Sequence, residues 1–161
     1  MISLQEKKTA VRNSTAVSNS TAVSNSTAIS ESIASYARRD FEGAMAIYTD
    51  DAEVSDPTGK YVGKLEILSQ LKSWKSAFPD AKSEVTNQIT DGDRVATAFT
   101  FRGTHTGPLA GSMGTIAPTG KHVELDMELV NWFRGGKVHR AHESFDLAGL
   151  MDQLGVARPK H

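Results

Sequence analysis

The feature that most constrains the fold is Gly135-Gly136, a glycine pair between two long segments of alternating polar and apolar residues. Because glycine adopts positive φ without a steric penalty, such a pair favours a two-residue hairpin turn between antiparallel strands. The turn predicts three cross-strand pairs: Phe133 with Val138, Trp132 with His139, and Glu128 with Glu143. Two carboxylates directly opposite each other repel, so the last pair is either relieved by solvent or a salt partner, or is used by a site.

The composition excludes several classes of function. The 161 residues carry a formal charge of −1, which gives no electrostatic reason to expect nucleic acid or an anionic membrane as a partner. There is no cysteine, so disulfides, thiol nucleophiles and cysteine-bound metals are excluded. No apolar stretch has the ~18 residues of a membrane span or the apolar core of a secretory signal, so we expect a cytoplasmic protein.

A six-residue repeat occupies the N-terminal part of the chain. The unit Asn-Ser-Thr-Ala-Val-Ser begins at Asn13 and Asn19, and a third copy at Asn25 has Ile in place of Val. Six residues do not return to one helical face, and one Val or Ile per unit buries little surface. We therefore predict a flexible low-complexity tail over residues 1–28, one domain over 29–156 and a C-terminal tail over 157–161.

The remaining chain reads as helices followed by strands. Helical spacing begins near Ile29, Asp40 is a plausible N-cap for a second helix, and a third helix follows Gly63. From Lys82 the pattern alternates as strands do, and a short helix over 147–154 closes the chain. This order predicts an α+β domain with helices packed on one face of a curved sheet.

The span from about Ile33 to Gly155 resembles the SnoaL-like polyketide cyclases, within the nuclear transport factor 2-like fold group. The resemblance rests on these short blocks: Ala77-Phe-Pro-Asp80, Asp91-Gly-Asp-Arg-Val95, Gly103-Thr-His-Thr-Gly107, Pro118-Thr-Gly-Lys121, Gly136-Lys-Val138 and Leu147-Ala-Gly-Leu-Met-Asp-Gln-Leu-Gly155. It implies a cone-shaped, strongly curved antiparallel sheet with about three N-terminal helices on its concave face. It also implies a pocket for a small apolar molecule, no cofactor, and a homodimer.

Glu143 is the first candidate for a catalytic residue. In this family, and in the similar limonene epoxide hydrolases, the last strand often carries an acid–base aspartate, which aligns with Glu143 when Phe145-Asp146 is matched to the corresponding block. If Glu128 faces Glu143 in a half-apolar mouth, the two share a proton and one pKa rises towards neutrality. The alternative is a solvated edge or dimer contact, in which His139 relieves the charge.

Asp56 is the second candidate. The segment Val54-Ser-Asp-Pro-Thr-Gly59 resembles the V-x-D-P-x-G segment of ketosteroid isomerases, in which the aspartate shuttles a proton. The tyrosine of those enzymes aligns near Ser32, so Tyr36, one helical turn further on, is the candidate to replace it. The alternative is a turn aspartate that caps the chain before Pro57.

Histidines supply the remaining polar candidates. His105 sits beside a glycine-rich loop, where it could donate a proton to an oxyanion or simply anchor the loop. Because strand side chains alternate, only one of His139 and His142 can face the pocket, and parity with Glu143 selects His139. The histidines and the nearby Asp126 lack the tight spacing of metal ligands, so we predict no metal site.

The apolar alternation of residues 123–133 conflicts with a buried Glu128. If the face with Val123 and Leu125 points inward, Glu128 and its partner Glu143 point outward. The pocket polar groups would then be Asn131, Arg140 and His142. A β-bulge would instead allow both faces to contribute at different heights of the cone.

Together these residues predict a small-molecule enzyme that uses general acid–base chemistry on an apolar, carbonyl-bearing substrate. The predicted apolar walls are Trp74, Phe101, Trp132 and Phe145. The alternatives are a non-catalytic ligand-binding or protein-association module of the same fold, or a protein in which the N-terminal repeat acts as a tether.

Overall fold

The computed structural model describes residues 4–111 and 114–157, with side chains from residue 21 onward. Four helices are present in these residues: α1 (Leu4–Ala37), α2 (Phe41–Met45), α3 (Gly63–Ala77) and α4 (Leu147–Leu154). Asp40 caps α2 by accepting a hydrogen bond from the Gly43 backbone N–H at 2.9 Å, as predicted. Gly155 ends α4 in the left-handed conformation, with φ of 71°. None of these helices is long and apolar enough to cross a membrane.

The strands form one main sheet and a small hairpin. Their bounds are β1 (Tyr48–Asp56), β2 (Gly59–Val62), β3 (Lys82–Asp91), β4 (Arg94–Thr104), β5 (Leu109–Gly111), β6 (Gly114–Ile116), β7 (His122–Arg134) and β8 (Lys137–Ser144). The main sheet has the order β2-β1-β8-β7-β4-β3, and β5 pairs with β6. The predicted α+β class with a strongly curved sheet is confirmed. The sheet is mixed rather than wholly antiparallel, because β1 and β8 run parallel.

A bulge in the last hairpin decides which side chains face inward. Gly135 and Gly136 have φ of 57° and 77°, and the pair Phe133–Val138 forms as predicted. The other two predicted pairs are wrong, because His139 is an extra residue on β8. The observed pairs are Trp132 with Arg140, Leu129 with Glu143, and Glu128 with Ser144. A shift of one residue reverses the face of every side chain beyond it, so Glu143 joins the apolar face of β7 and Glu128 lies outside.

The repeat segment belongs to the helix α1. Its backbone is helical from Leu4, so the six-residue period does not prevent helix formation. Near the predicted boundary at residue 29 the helix is already held by the sheet, since Gln88 Nε2 donates to the Ser26 carbonyl at 3.3 Å and Asn25 is buried. Mobility of residues 1–28 stays a prediction.

Candidate functional site

An apolar cavity lies between the inner face of the sheet and helices α1, α2 and α3. Its volume is about 100 Å³, below the ~300–1,000 Å³ of typical pockets for drug-sized ligands. In this conformation the cavity has room only for a small molecule. The lining residues are Ile29, Ser32, Ile33, Tyr36, Ala44, Ile47, Tyr48, Gln70, Leu71, Trp74, Ser83, Phe99, Phe101, Met127, Leu129 and Glu143.

Glu143 is the one carboxylate among the described residues that line this cavity. The bulge at His139 turns it inward beside Leu129. Burial, and then the negative charge of Asp56, raise the pKa of Glu143 from 4.5 to about 7. A carboxyl group with a pKa near the working pH can both donate and accept a proton, which is what general acid–base catalysis requires.

Asp56 is the source of that charge, and its own carboxylate is held by four donors. Oδ1 accepts from the Thr58 N–H and the Thr58 hydroxyl, both at 2.6 Å, and from the Gly59 N–H at 3.0 Å. Oδ2 accepts from Gln70 Nε2 at 2.8 Å. These contacts are those of the turn-capping aspartate that the sequence left as the alternative. They also fix a negative charge near Glu143, so the structural and electrostatic roles coexist.

Two tyrosines line the cavity within the electrostatic reach of Glu143. Burial, and then the charge of Glu143, raise the pKa of Tyr36 and of Tyr48 well above the usual range. Both hydroxyls are therefore protonated at neutral pH and can donate to an oxyanion. Tyr36 was predicted from the sequence, whereas Tyr48 was missed as a site residue. No local pattern marks Tyr48, because its proximity to Glu143 arises from the tertiary fold.

The predicted apolar walls divide between the cavity and the outside of the sheet. Trp74 and Phe101 line the cavity, with their rings edge to face at 5.7 Å. Phe145 packs edge to face on Trp74 at 5.5 Å but lines a groove that also contains Glu128. Trp132 lies on the outer face, where the Arg140 guanidinium carbon is 4.9 Å from the centroid of the Trp132 ring. Trp132 points away from the cavity because the odd-numbered residues of β7 face inward, and the bulge on β8 places Arg140 opposite it.

His105 is part of the loop anchor and does not line the cavity. The side chain is 0% exposed, and its Nδ1 accepts from the Thr119 backbone N–H at 3.3 Å and lies 3.0 Å from the Thr119 hydroxyl. Its ring lies against Phe78, with centroids 5.2 Å apart. Burial lowers the pKa of His105, so the neutral imidazole is favoured. These contacts fit the loop-anchor alternative.

Most of the other polar candidates lie at the bulge or on the outer face of the sheet. His139 is the bulge residue itself. The strict alternation along β8 that would put His139 on the same face as Glu143 is therefore broken at this residue. His142 is exposed, and its Nδ1 lies 2.9 Å from the Ser55 hydroxyl. Glu128 is exposed and pairs with Ser144, so the predicted tuning of Glu143 by Glu128 is replaced by tuning from Asp56. Asn131 alone of the alternative set lies inside, fully buried opposite Ala141.

The site contains proton donors and acceptors around a single carboxyl group. Within residues 4–111 and 114–157, no cluster of His, Asp or Glu could hold a metal ion. A second apolar cavity of about 200 Å³ lies under β5 and β6 and against α4, with Trp74 in the wall between the two cavities. The arrangement around Glu143 is suited to proton transfer on a small apolar ligand whose oxygen faces Tyr36 or Tyr48.

The family model of the SnoaL-like polyketide cyclases matches residues 27–154. The chain belongs to this family. The match includes all the catalytic candidates and the whole cavity-forming sheet. A search of curated protein sequences found no significant match.

Several solved structures share the fold. IdmH from Streptomyces antibioticus is 25% identical, with a TM-score of 0.67 over 82% of this chain and 99% of its own. AclR from Streptomyces galilaeus is 24% identical, with a TM-score of 0.72 over 87% of this chain and 90% of its own. A SnoaL-like protein from Jannaschia sp. is 17% identical, with a TM-score of 0.73 over 87% and 94%. At these identities the likeness carries the fold rather than the reaction.

Proposed function

We propose that this SnoaL-like protein is a small-molecule enzyme of the cyclase or isomerase type, with Glu143 as its general acid–base. The observation that carries the proposal is a single carboxyl group in an apolar cavity, with its pKa raised to about 7. Structural ion pairs also perturb pKa values, but Glu143 faces a cavity and makes no ion pair with any described residue.

The residues around Glu143 supply the other parts of a proton transfer. A ketone ligand whose α-carbon lies beside Glu143 would lose an α-proton to the carboxylate, and the electrons of the broken C–H bond would move onto the carbonyl oxygen as an enolate. The hydroxyl of Tyr36 or Tyr48 would donate a hydrogen bond to the resulting enolate oxygen. Trp74, Phe101 and Met127 would hold the apolar part of the ligand and exclude water, which strengthens these interactions.

The proposal can be tested without knowing the natural substrate. A small cyclic ketone in D₂O exchanges its α-hydrogens when a base abstracts them, and NMR measures the rate. We expect the wild-type protein to accelerate the exchange and Glu143→Gln to lower the rate by about 10²–10⁴-fold, the usual contribution of a positioned acid–base group. The wild-type rate should rise with pH through about 7, because the ionised carboxylate is the base.

The matched control is Glu128→Gln, which removes a carboxylate from the outer face of the neighbouring strand. Its exchange rate should equal that of the wild type. If Glu143→Gln exchanges as fast as the wild type, Glu143 is not the base. If the ketone binds in the cavity but the wild type exchanges it no faster than buffer alone, the protein is the non-catalytic ligand-binding module instead.

The homodimer implied by the family resemblance stays a prediction. On the outer face of the sheet, Ile89 of β3, opposite Ala96, is exposed and would be available to a partner chain. Participation of the outer sheet face in such a contact would leave Glu143 and the cavity untouched, because they lie on the inner face.

A further inference from the structure

The second cavity, between α3, α4 and the β5–β6 hairpin, is larger than the cavity beside Glu143. Its volume is about 200 Å³, compared with about 100 Å³. The large aliphatic side chains that line it are Leu109, Ile116, Leu147, Leu150, Met151 and Val156. Voids larger than a water molecule are few in a folded domain, because side chains in the interior pack closely. A void of this size therefore calls for an explanation.

Contacts with α3 hold the hairpin wall of this cavity in place. The Ala77 carbonyl, at the end of α3, accepts from the Gly107 backbone N–H at 3.1 Å. The Ser73 hydroxyl donates to the Ala110 carbonyl of β5 at 3.2 Å. A Cβ atom at Gly107 would collide with the Ser76 carbonyl oxygen, so glycine is what allows the loop before β5 to lie directly against the helix.

Separate contacts hold the other two walls. On α4, the Gln153 side chain accepts from the Glu124 N–H at 2.8 Å and donates to the Glu124 carbonyl at 2.9 Å, which fastens the helix to β7. On α3, Trp74 stacks on Phe78 with centroids 5.7 Å apart and packs edge to face on Phe145 at 5.5 Å. Each wall is thus held by contacts that do not depend on what lies between the walls. The cavity is therefore formed before any ligand enters it.

The lining residues define the kind of molecule that fits. None of the described residues that line the cavity is charged, and the polar side chains among them are the hydroxyls of Thr58 and Thr115. The Thr58 hydroxyl already donates to Asp56 Oδ1 at 2.6 Å. A charged molecule would lose its hydration here without gaining an ionic partner, whereas an apolar molecule gains by leaving water. Apolar cavities of about 150 Å³ lined by Leu, Ile and Phe stay dry and bind benzene.

We propose that the cavity between α3, α4 and the β5–β6 hairpin is a second binding site, for a neutral, hydrocarbon-like molecule about as large as one benzene ring. Thr115 and Ala157 line the cavity and are exposed, so that side lies at the protein surface and gives the ligand a way in. Trp74 lines both cavities, so an occupant would contact the wall of the proposed catalytic cavity without reaching Glu143. The second site does not depend on the acid–base role of Glu143.

Two methionines give each cavity its own NMR signal. Met151 lines the second cavity, Met127 lines the first, and Met45 lines neither. The test uses protein labelled with ¹³C at the methionine methyl groups, with signals assigned by single Met→Leu variants. Titration with benzene should shift the Met151 signal to saturation with a Kd on the order of 1 mM, while Met45 stays in place.

Variants that fill the cavity from two different walls test whether benzene binds there. Ile116→Phe on β6 and Val156→Phe after α4 each add a ring to the lining. Each should weaken the Met151 response at least about tenfold, because the cavity cannot hold both rings at native packing density. The Met45 and Met127 signals show whether a variant is folded. Leu65→Phe places the same ring on the exposed surface of α3 and should leave the affinity within about twofold of the wild type.

Benzoate tests the chemical class of the ligand on the wild-type protein alone. It is benzene with a carboxylate, and near neutral pH it should bind at Met151 at least about tenfold more weakly than benzene, because no described lining residue can pair with its charge. Equal affinity of benzene and benzoate would overturn the proposed ligand class. The second site itself would be overturned by a Met151 signal that benzene does not shift, or by an affinity that neither filling variant lowers.

Discussion

Asp56 and Glu143 are two carboxyl groups on neighbouring strands, and their surroundings differ. Asp56 stands at the end of β1, where four donors from the turn and from α3 surround its oxygens. Glu143 stands on β8 in an apolar cavity, where no described residue donates a hydrogen bond to it. Hydrogen bonds hold the oxygens of Asp56, whereas burial and the charge of Asp56 raise the pKa of Glu143 to about 7. Environment rather than residue type therefore assigns the two roles.

The pairing of two strands brings Asp56 and Glu143 close together. The parallel pairing of β1 with β8 aligns Ser55 with His142, and the residues next in sequence are Asp56 and Glu143. The predicted pair of Glu128 and Glu143 does not form, and the carboxylate whose charge acts on Glu143 is instead Asp56 on the neighbouring strand β1. The repulsion raises the pKa of Glu143, which is the proposed acid–base residue.

Replacement of Glu143 by Gln should have the largest effect on stability. Its pKa rises from 4.5 to about 7 on folding, which corresponds to about 3 kcal/mol at 1.36 kcal/mol for each pH unit. A raised pKa favours the folded state fully below about pH 4.5 and loses that contribution as pH rises through about 7. The free energy of unfolding of Glu143→Gln, measured by urea unfolding, should therefore exceed that of the wild type by up to about 3 kcal/mol at pH 8. Near pH 4 the two proteins should be equally stable.

The control for this measurement is Glu128→Gln, whose carboxyl group is exposed on the outer face. Its stability relative to the wild type should not depend on pH over the same range. A wild-type protein and a Glu143→Gln variant with parallel stability curves would show that Glu143 titrates normally, and the contrast with Asp56 would disappear.

Most of the fold follows from local signals in the sequence. The glycine turn, the Asp40 cap and the Gly155 stop all form as predicted, because each depends on a few neighbouring residues. The order of elements differs in part, because β1 and β2 precede α3. The bulge at His139 has no comparable signal. Residues 137–144 contain no glycine or proline that would mark an extra residue, and bulges are set by the pairing of two strands.

The extra residue His139 accounts for most of the differences between the predicted and the observed site. A register without the bulge pairs Glu143 with Glu128 and directs His139 inward, whereas the true register pairs Glu143 with Leu129. The parallel contact between β1 and β8, which brings Asp56 and Tyr48 near Glu143, is equally non-local. Candidate residues such as Glu143, Asp56 and Tyr36 could be found from chemistry and resemblance, but their grouping required the tertiary structure.

Removal of the Asp56 charge should have an intermediate effect. In Asp56→Asn the side-chain oxygen still accepts from Thr58 and Gly59, so we expect a loss of only about 1–2 kcal/mol, less than for deleting hydrogen bonds to a charged group outright. Burial remains the larger cause of the raised pKa of Glu143, so that pKa should fall below 7 but stay above 4.5. The pH profile of ketone exchange measures this shift directly.

Asp56→Asn also separates the two roles assigned to Asp56. If Asp56 were itself the proton-shuttling base, as its resemblance to ketosteroid isomerases suggests, exchange would be lost at every pH. If it only tunes Glu143, the profile moves to lower pH while its plateau rate stays close to that of the wild type. An unmoved profile would mean that burial alone sets the pKa of Glu143.

The smallest effect is expected for Gln70, which donates to Asp56 Oδ2 at 2.8 Å from the cavity wall. Gln70→Leu removes this donor but leaves the three donors to Oδ1, and water can reach a partly exposed carboxylate. The stability should fall by less than about 1 kcal/mol, the net value of one hydrogen bond. Ser69→Ala, an exposed neighbour on α3, is the control and should change nothing. Because the lost donor stabilised the Asp56 anion, a drop as large as that of Asp56→Asn would show that Gln70, rather than the turn, holds the charge that acts on Glu143.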